Sequence, residues 1–277
     1  MAGMSLPAAA SSSTVLITGA SSGIGAELAR ELGRRGYNLT LVVRRAERLR
    51  ALAGELEAAH GIRADVHLTD LSDADARADL ILGLRSGQLE IVGVCNNAGY
   101  GSVGRLHELA LEREVEMVRL NVEALHELTG AFLPAMVERG SGAILNVAST
   151  AAFQPIPGFA TYGATKAFVT SFSEAVHAEL SGTGVSVTSL CPGPTRTEFF
   201  DRSGTPSLSK PGLLFMEADD VAREAVTAMI AGKRTLTPGV GNKVSAVGGR
   251  FVPRSVLLPV MRKLGAGRLA DARSDLT

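Results

Sequence analysis

Short, almost uninterrupted apolar runs alternate along the chain with longer segments in which apolar residues recur every three or four positions. Near-continuous apolar runs of this length are typical of strands buried on both faces of a sheet. They predict strands at 14–19, 38–43, 63–69, 91–97, 142–149 and 184–191, with a seventh around RTLTPG at 234–239.

The longer segments between the runs have helical periodicity. They predict helices at 24–36, 45–61, 71–87, 112–140 and 161–182. Strands that alternate with helices of ten or more residues favour a parallel sheet covered on both sides. We therefore expect an α/β, Rossmann-like doubly wound fold, with a mostly parallel sheet of about seven strands and helices on both faces.

The length of 277 residues and the hydrophobic content of 45% suit one domain with a full core. We expect residues 1–12 to form a flexible leader that is not a signal peptide, and residues 13–277 to form a single domain. Within that domain, glycines, prolines and serines predict a mobile substrate lid at about 194–220. A C-terminal extension follows at about 240–277.

The formal net charge of zero gives no basis for steering toward nucleic acid. Cys95 and Cys191 both lie in apolar strand-like runs, which favours small buried hydrophobic residues in a reducing, cytoplasmic protein. The histidines show no paired spacing, so no metal site is expected. No apolar run reaches the roughly 18 residues that a transmembrane helix requires.

A glycine-rich turn, TGASSGIG at 18–25, follows the first strand and opens the first helix. Glycines allow a tight turn and close approach of the backbone to a diphosphate, and the helix N-terminus supplies free N–H groups. The alternative is a plain strand-to-helix turn. The candidate cofactor-binding residues here are Gly19, Ser21, Ser22, Gly23, Ile24 and Gly25.

The end of the second strand is where NAD-binding folds place an acid on the ribose hydroxyls. This chain has Arg44 and Arg45 there instead. The planar guanidinium donates several hydrogen bonds to phosphate oxygens, which suits a ribose 2′-phosphate. The pair favours NADP(H) as cofactor, with NAD(H) possible. The alternative is that both are surface arginines at the start of a helix.

Six motifs together resemble the short-chain dehydrogenase/reductase family in its single-domain branch, over roughly residues 13 to 200. They keep the family's order and spacing, which makes a chance resemblance improbable. They are TGASSGIG (18–25), NNAG (96–99), Asn121 in RLNVEA, Ser149 in NVAST, YGATK (162–166) and CPGPTRT (191–197).

The resemblance implies an NADP(H)-dependent oxidoreductase that interconverts a carbonyl and a secondary alcohol. Tyr162 would be the general acid in reduction and the base in oxidation, and Lys166 would also bond the nicotinamide ribose. Ser149 would hydrogen-bond the substrate oxygen. Asn121 would hold a water that links the lysine to solvent.

Elementary electrostatics supports this pairing of Tyr162 with Lys166, which lies one helical turn further on. At an effective dielectric of 20, a charge ~4 Å away is worth about 4 kcal/mol. That corresponds to about three pK units, which would lower a phenol pKa of ~10 to near neutrality. We therefore expect the lysine to make the tyrosine useful at physiological pH.

The remaining cofactor contacts follow from the resemblance alone. Asp70 and Leu71 would flank the adenine. The residues that would line the rest of the channel, besides Tyr162 and Lys166, are Asn97, Ala98, Gly99, Pro192, Gly193, Thr195 and Thr197. The family's habit also implies a homodimer or homotetramer.

Aromatic and aliphatic residues flank the expected lid and occur in FQPIPGF at 153–159. They suggest a hydrophobic carbonyl or alcohol substrate, although they could equally pack the lid onto the core. The stretch at 247–267 mixes apolar residues with Arg250, Arg254, Arg262 and Lys263. Both an interfacial basic helix and a helix packed on the domain or on a partner subunit remain open for it.

Two other functions fit the scaffold. An epimerase or dehydratase would need a C-terminal substrate domain, for which the chain after 197 has little room. A non-catalytic NADP(H)-binding sensor or scaffold usually lacks one member of the set Asn121, Ser149, Tyr162 and Lys166, and this chain has all four.

Overall fold

In a computed structural model, the chain forms one seven-stranded sheet in which every neighbouring pair of strands is parallel. The structure describes residues 5–44, 47–199, 203 and 215–263. The strand order is β3-β2-β1-β4-β5-β6-β7, so the chain reverses its direction of winding between β1 and β4. The expected doubly wound α/β fold is confirmed.

The strands lie close to the apolar runs from which they were predicted. They are β1 Ser13–Thr18, β2 Asn38–Val43, β3 Ala64–Leu68, β4 Glu90–Asn96, β5 Gly142–Val147, β6 Val185–Leu190 and β7 Thr235–Leu236. The main helices are α1 Gly23–Arg34, α2 Glu47–His60, α3 Ala74–Arg85, α4 Leu111–Val118, α5 Leu125–Arg139, α6 Ala160–Glu179, α7 Ala218–Ile230, α8 Val240–Phe251 and α9, residues 254–263.

Helices cover both faces of the sheet, and each face has its own hydrophobic core. On one face, α1, α2 and α7 pack their apolar sides against the strands, with Leu28 and Val226 fully buried. On the other face, α3, α5 and α6 do the same, with Leu128 at 1% exposure. The central strand β1 is buried along its whole length, in agreement with its apolar centre Val15–Ile17.

The segment expected to be one helix at 112–140 contains a π-helical turn, Arg119–Ala124, between α4 and α5. Such a turn accommodates one extra residue without ending the helix. Hydrophobic periodicity does not reveal it, because the helix continues on both sides. Asn121 lies within this turn and is almost fully buried.

The start of the chain differs from the expected loose leader. Leu6 is fully buried in the core beside Gly93 of β4 and Met229 of α7. The backbone of Ser5 pairs with both Ile230 and Gly142. Residues 5–12 are therefore part of the domain. A single leucine in a stretch rich in alanine and serine shows no hydrophobic periodicity, so its burial could not be predicted from the sequence.

The two ends of the expected lid meet. Thr195 and Met216 form a parallel bridge, and the backbone N–H of Arg196 donates to the Met216 carbonyl at 3.0 Å. Residues 204–214, including Leu213 and Leu214, lie outside the described residues, as do Arg45 and Phe200. The expected lid ends earlier than 220, because α7 begins at Ala218.

Among the described residues, no helix combines the length and the apolar character needed to cross a membrane.

Truncating Leu6 tests whether the start of the chain is structural. We expect Leu6→Ala to lower the free energy of unfolding by about 2–5 kcal/mol, because it leaves a cavity in the core. The control Leu82→Ala removes the same atoms from a side chain that is 69% exposed, and should change stability by less than about 0.5 kcal/mol. Urea denaturation measures both, and equal losses in the two variants would contradict the buried position.

Candidate active site

A cavity of about 1070 Å³ opens beyond the carboxyl ends of the strands. It spans the point between β1 and β4 where the winding reverses, which is where open α/β sheets bind their ligands. The β1–α1 turn forms one wall of the cavity, and the segments that follow β2 to β6 contribute the others. Almost every site residue predicted from the sequence is found in this one cavity.

The glycine turn is packed so closely that side chains could not replace its hydrogens. A Cβ on Gly19 would lie 2.8 Å from the Ala98 Cα. A Cβ on Gly25 would overlap the Gly19 carbonyl oxygen and the Asn97 amide nitrogen. Gly19 and Gly23 also have positive φ angles, of 68° and 56°. The turn therefore presents bare backbone to the cavity at the N-terminus of α1, as a diphosphate group requires.

Asn97 connects this turn to the end of β4. Its side-chain amide donates to the carbonyls of Thr18 at 3.0 Å and Gly19 at 3.1 Å. In return, the Thr18 hydroxyl accepts hydrogen bonds from the backbone N–H groups of Asn97 and Ala98, each at 3.0 Å. The neighbouring Gly99 also lines the cavity.

Arg44 lies at the end of β2 and lines the cavity with an exposed side chain. Its guanidinium is 3.1 Å from a Glu116 carboxylate oxygen and 3.8 Å from one of Asp70. Burial alone would raise the pKa of Asp70, but hydrogen bonds from Ser72 and the charge of Arg44 hold it below its ordinary value. A cation thus stands at the end of β2, held between two carboxylates.

The segment Asp70–Leu71 of the cavity is supported from behind by a fully buried arginine. Arg77 donates to the carbonyl oxygen of Leu71 at 2.9 Å and forms ion pairs with Glu123 and Glu127 of the π-helical turn and α5. It therefore fixes the backbone of the Asp70–Leu71 segment relative to the opposite helix.

Tyr162 and Lys166 lie near the start of α6, one turn apart. The Lys166 ammonium is almost fully buried, donates to the Val147 carbonyl at 2.8 Å, and is 5.8 Å from the centre of the Tyr162 ring. The Tyr162 hydroxyl hydrogen-bonds with Ser149. The three side chains converge where β5 ends, as the motifs predicted.

The pKa of Tyr162 differs from the value expected from the sequence. Burial raises the pKa of the phenol to about 12, although the hydrogen bond with Ser149 acts in the opposite direction. Burial also lowers the pKa of Lys166 to about 8. The expected fall of the phenol pKa to near neutrality is therefore absent. The charge of the lysine does not lower it so far, because burying both groups favours their neutral forms.

Asn121 uses its whole side-chain amide to fix the backbone beside Lys166. Its nitrogen donates to the Tyr100 carbonyl at 3.0 Å and to the Thr165 hydroxyl at 3.1 Å. Its oxygen accepts from the Tyr100 N–H at 3.2 Å. The Thr165 hydroxyl in turn donates to the Tyr162 carbonyl. Asn121 does not line the cavity itself, but it connects the segment after β4 to the helix that carries the tyrosine.

Ser149 caps a short 3-10 helix, Thr150–Phe153, by accepting a hydrogen bond from the Ala151 N–H at 3.1 Å. The Thr150 N–H donates to the Pro192 carbonyl at 2.9 Å, which joins this corner to the loop after β6. That loop supplies the last of the predicted cofactor residues to the cavity: Pro192, Gly193, Thr195 and Thr197.

The part of the cavity beside Tyr162 is mostly apolar. The rings of Phe159 and Phe199 lie 6.1 Å and 5.3 Å from that of Tyr162. Ile156, Phe215 and Met261 add further apolar side chains to the cavity lining. The neutral polar side chains of Gln154 and the buried Asn242 also line the cavity.

The structure brings the predicted residues together with few exceptions. Gly25 lies behind the cavity wall, Asn121 lies beside it, and Arg45 is outside the described residues. Sequence reasoning missed the cavity residues Tyr100, Glu116, Gln154, Asn242 and Met261. No local pattern marks them, because their position depends on how α4, α8 and α9 pack over the sheet.

Residues 13–206 match the family described as short chain dehydrogenase. The chain belongs to that family. It is accordingly an oxidoreductase of the kind that acts on alcohols and carbonyls. The matched residues include the glycine turn, Ser149, Tyr162 and Lys166, which line the cavity described above.

Individual relatives agree in fold and differ in the substrates that their names state. Serine 3-dehydrogenase of Agrobacterium fabrum is 37% identical over 219 residues, covering 76% of this chain and 85% of its own. A short-chain dehydrogenase from Sphingobium yanoikuyae, solved in complex with NADPH, has a TM-score of 0.78 and 35% identity, covering 89% of this chain and 95% of its own. The bulky-bulky ketone specific alcohol dehydrogenase of Comamonas testosteroni has a TM-score of 0.74 and 29% identity, with 89% and 97% covered.

The close approach in the glycine turn gives a sharp prediction. We expect Gly25→Ala to weaken NADPH binding roughly tenfold or more, because its methyl group would push the Gly19 carbonyl out of place. The control is Gly54→Ala in α2, where a Cβ has no atom within 4 Å. It should bind NADPH normally and unfold at the same or a higher temperature. NADPH fluorescence titration measures the affinities, and normal binding by Gly25→Ala would contradict the role of the turn.

Proposed function

We propose that the protein is an NADP(H)-dependent oxidoreductase that interconverts a hydrophobic carbonyl compound and its secondary alcohol, with Tyr162 as general acid and base. The observation that carries the proposal is the hydrogen-bonded pair of Tyr162 and Ser149 beside the buried Lys166, in the cavity that also holds the glycine turn. A bound NADP(H) supplies or accepts the hydride there.

The cofactor preference rests on Arg44. Its guanidinium is a cation at the end of β2, and both Arg44 and Ser22 line the cavity. Its ion pairs with Glu116 and Asp70 are solvent-exposed, so exchanging them for a phosphate costs little. The short-chain dehydrogenase from Sphingobium yanoikuyae was solved in complex with NADPH, which agrees with this choice. NAD(H) remains a possible second cofactor.

Tyr162 serves reduction in its protonated form. With a pKa of about 12, the phenol keeps its proton at neutral pH and can donate it to the oxygen of a carbonyl that is being reduced. Ser149, which already bonds the phenol oxygen, can donate to the same substrate oxygen and stabilise its developing negative charge.

Lys166 stabilises the phenolate that remains after proton transfer. Its pKa of about 8 leaves it charged at neutral pH, and its Nζ is anchored on the Val147 carbonyl. Both side-chain donors of Asn121 are engaged by protein groups. We propose that Asn121 positions Tyr100 and α6, and that its oxygen keeps a lone pair for a water that would serve proton resupply.

A hydrophobic substrate is supported by the aromatic and aliphatic side chains around Tyr162, including Phe159, Phe199 and Phe215. The arginines among the described residues of the cavity are Arg44 and Arg113. Both lie near Tyr100, on the side of the cavity formed by α4. Among the described residues, an anionic or zwitterionic substrate would find no cation beside the phenol other than Lys166. The substrate end thus resembles a site for a bulky ketone more than one for an amino acid.

We also propose a homo-oligomer in the cytoplasm. Support for association comes from α5 and α6, where Phe168 is 38% exposed and stacks on Phe172 at 5.7 Å, beside His126. An exposed aromatic cluster of this kind is typical of a protein interface.

Replacing Tyr162 tests the mechanism. We expect Tyr162→Phe to lower kcat about 10²- to 10⁴-fold, because it removes the proton donor, while NADPH still binds. NADPH oxidation is followed with carbonyls from small aldehydes through steroid ketones to long-chain ketoacyl esters.

Tyr37→Phe is the matched control, because its hydroxyl bonds the Pro7 carbonyl away from the cavity. Undiminished turnover in Tyr162→Phe would refute the assignment. If wild-type protein binds NADPH but turns over no carbonyl of the panel, a non-catalytic sensor becomes the better proposal.

Replacing Arg44 tests the cofactor preference. We expect Arg44→Ala to weaken NADPH binding roughly 10- to 100-fold and to leave NADH binding nearly unchanged, because it removes a charged hydrogen-bond donor to the 2′-phosphate. Arg50→Ala removes an exposed arginine of α2 outside the cavity lining and should affect neither cofactor. Equal losses for NADPH and NADH would show that Arg44 does not distinguish them.

A further inference from the structure

Charge is distributed very unevenly along the last quarter of the sequence. The whole chain balances 28 basic against 28 acidic residues. Between Glu224 and Asp271, however, eight lysines and arginines occur without a single aspartate or glutamate. The helices α8 and α9 lie within this segment.

Helix α8 is apolar on its outer side. Asn242 and Ala246 form its buried side, and Asn242 reaches the cavity. Val240 and Val244 precede Asn242 and Ala246 by two residues each, which places them on the other side of the helix. They are 77% and 68% exposed. On an ordinary surface helix the polar residues take this outer position.

Helix α9 repeats the arrangement. Leu257 and Met261 are buried, one turn apart, and Met261 lines the cavity. Val256 and Val260, also one turn apart, are 55% and 50% exposed. The two helices thus close the cavity with one side and turn valines to solvent with the other.

Among the described side chains of α8 and α9, the charged ones are Lys243, Arg254, Arg262 and Lys263, all of them exposed cations. No ion pair joins Lys243, Arg254, Arg262 or Lys263 to an acidic residue within the described part of the chain. On α1, by contrast, Arg30, Arg34 and Arg35 each pair with a glutamate. We define the cationic C-terminal face as Val240, Lys243, Val244, Arg254, Val256, Val260, Arg262 and Lys263.

We propose that the cationic C-terminal face docks the protein on an anionic lipid surface. Exposed valines can enter the boundary between headgroups and acyl chains while the neighbouring lysines and arginines meet anionic headgroups. A second copy of this chain fits the face poorly, because a symmetric contact would bring like charges together. The uniform sign of the charge therefore favours an anionic membrane.

Docking would place the cavity next to the lipid. Asn242 and Met261 form its wall from the same two helices whose outer sides carry the face. A hydrophobic carbonyl compound dissolved in the membrane would thus meet the enzyme at its substrate end. This last step rests on the proposed function, whereas docking itself is measured without turnover.

Co-sedimentation of the full chain with vesicles tests the docking. We expect binding to vesicles of equal parts phosphatidylglycerol and phosphatidylcholine, little binding to phosphatidylcholine alone, and release by added salt. The variant Lys243→Glu/Arg262→Glu/Lys263→Glu should bind the anionic vesicles at least tenfold more weakly, since each surface cation contributes about fivefold.

The control variant reverses three exposed arginines elsewhere, Arg50→Glu/Arg85→Glu/Arg119→Glu, with the same change in net charge. It should keep most of the wild-type affinity. An equal loss in both variants would mean that total charge drives the binding, and it would overturn the proposal.

The absence of tryptophan from the natural chain allows a second, direct readout. Val256→Trp should show a blue-shifted emission on adding anionic vesicles, because the indole enters an apolar layer. Val137→Trp, at another exposed valine, should not shift.

Three results would overturn the proposal. One is no sedimentation with anionic vesicles at low ionic strength. Another is a blue shift of Val256→Trp without vesicles together with a dimer in size-exclusion chromatography, which would make the face a subunit interface. The third is binding to soluble polyglutamate as tight as to vesicles without a blue shift, which would point to an acidic macromolecule.

Discussion

The site depends on how tightly the ends of β1 and β4 are held together. Asn97 holds the two ends together, because its side-chain amide donates hydrogen bonds to the carbonyls of Thr18 and Gly19. The approach is close enough that only glycine fits at positions 19 and 25. Because the winding of the sheet reverses between these two strands, the helices on either side diverge from this point and leave the cavity open. If the junction between β1 and β4 loosened, the glycine turn would move. The residues around Lys166 would move as well, through Gly99 and Tyr100.

Burial determines the acid–base behaviour of the other end of the cavity. Burial lowers the pKa of Lys166 and raises the pKa of the Tyr162 phenol. In both groups, removal from water stabilises the neutral form relative to the charged form. The carbonyl of Val147 and the hydroxyl of Ser149 partly replace the lost water as hydrogen-bond partners. The protein thus keeps a proton on the tyrosine and a cation behind it, an arrangement suited to delivering the proton rather than removing one.

Much of the fold and site could be predicted from the sequence, because the relevant signals are local. Buried parallel strands have continuous apolar sequences, so β2 was placed correctly at both ends. Motifs at the carboxyl ends of parallel strands converge at one edge of the sheet, which is why the glycine turn, Asn97 and Ser149 meet in one cavity. Features created by packing between distant segments could not be predicted. Leu6 had no periodic context, Glu116 reaches Arg44 only across the fold, and the pKa of Tyr162 depends on the depth to which α6 is buried.

The π-helical turn at Arg119–Ala124 shows that the direction of a side chain can depend on the number of residues in a helical segment, and not on residue identity alone. Asn121 reaches Tyr100 and Thr165 from a turn that holds one residue more than a regular helix. Deleting a neighbour such as Val122 would let the backbone relax into an unbroken α-helix, with every other side chain of the turn still present. The asparagine would then point elsewhere. A lineage of such enzymes would therefore tolerate many substitutions along this helix while selecting strongly against a change in its number of residues.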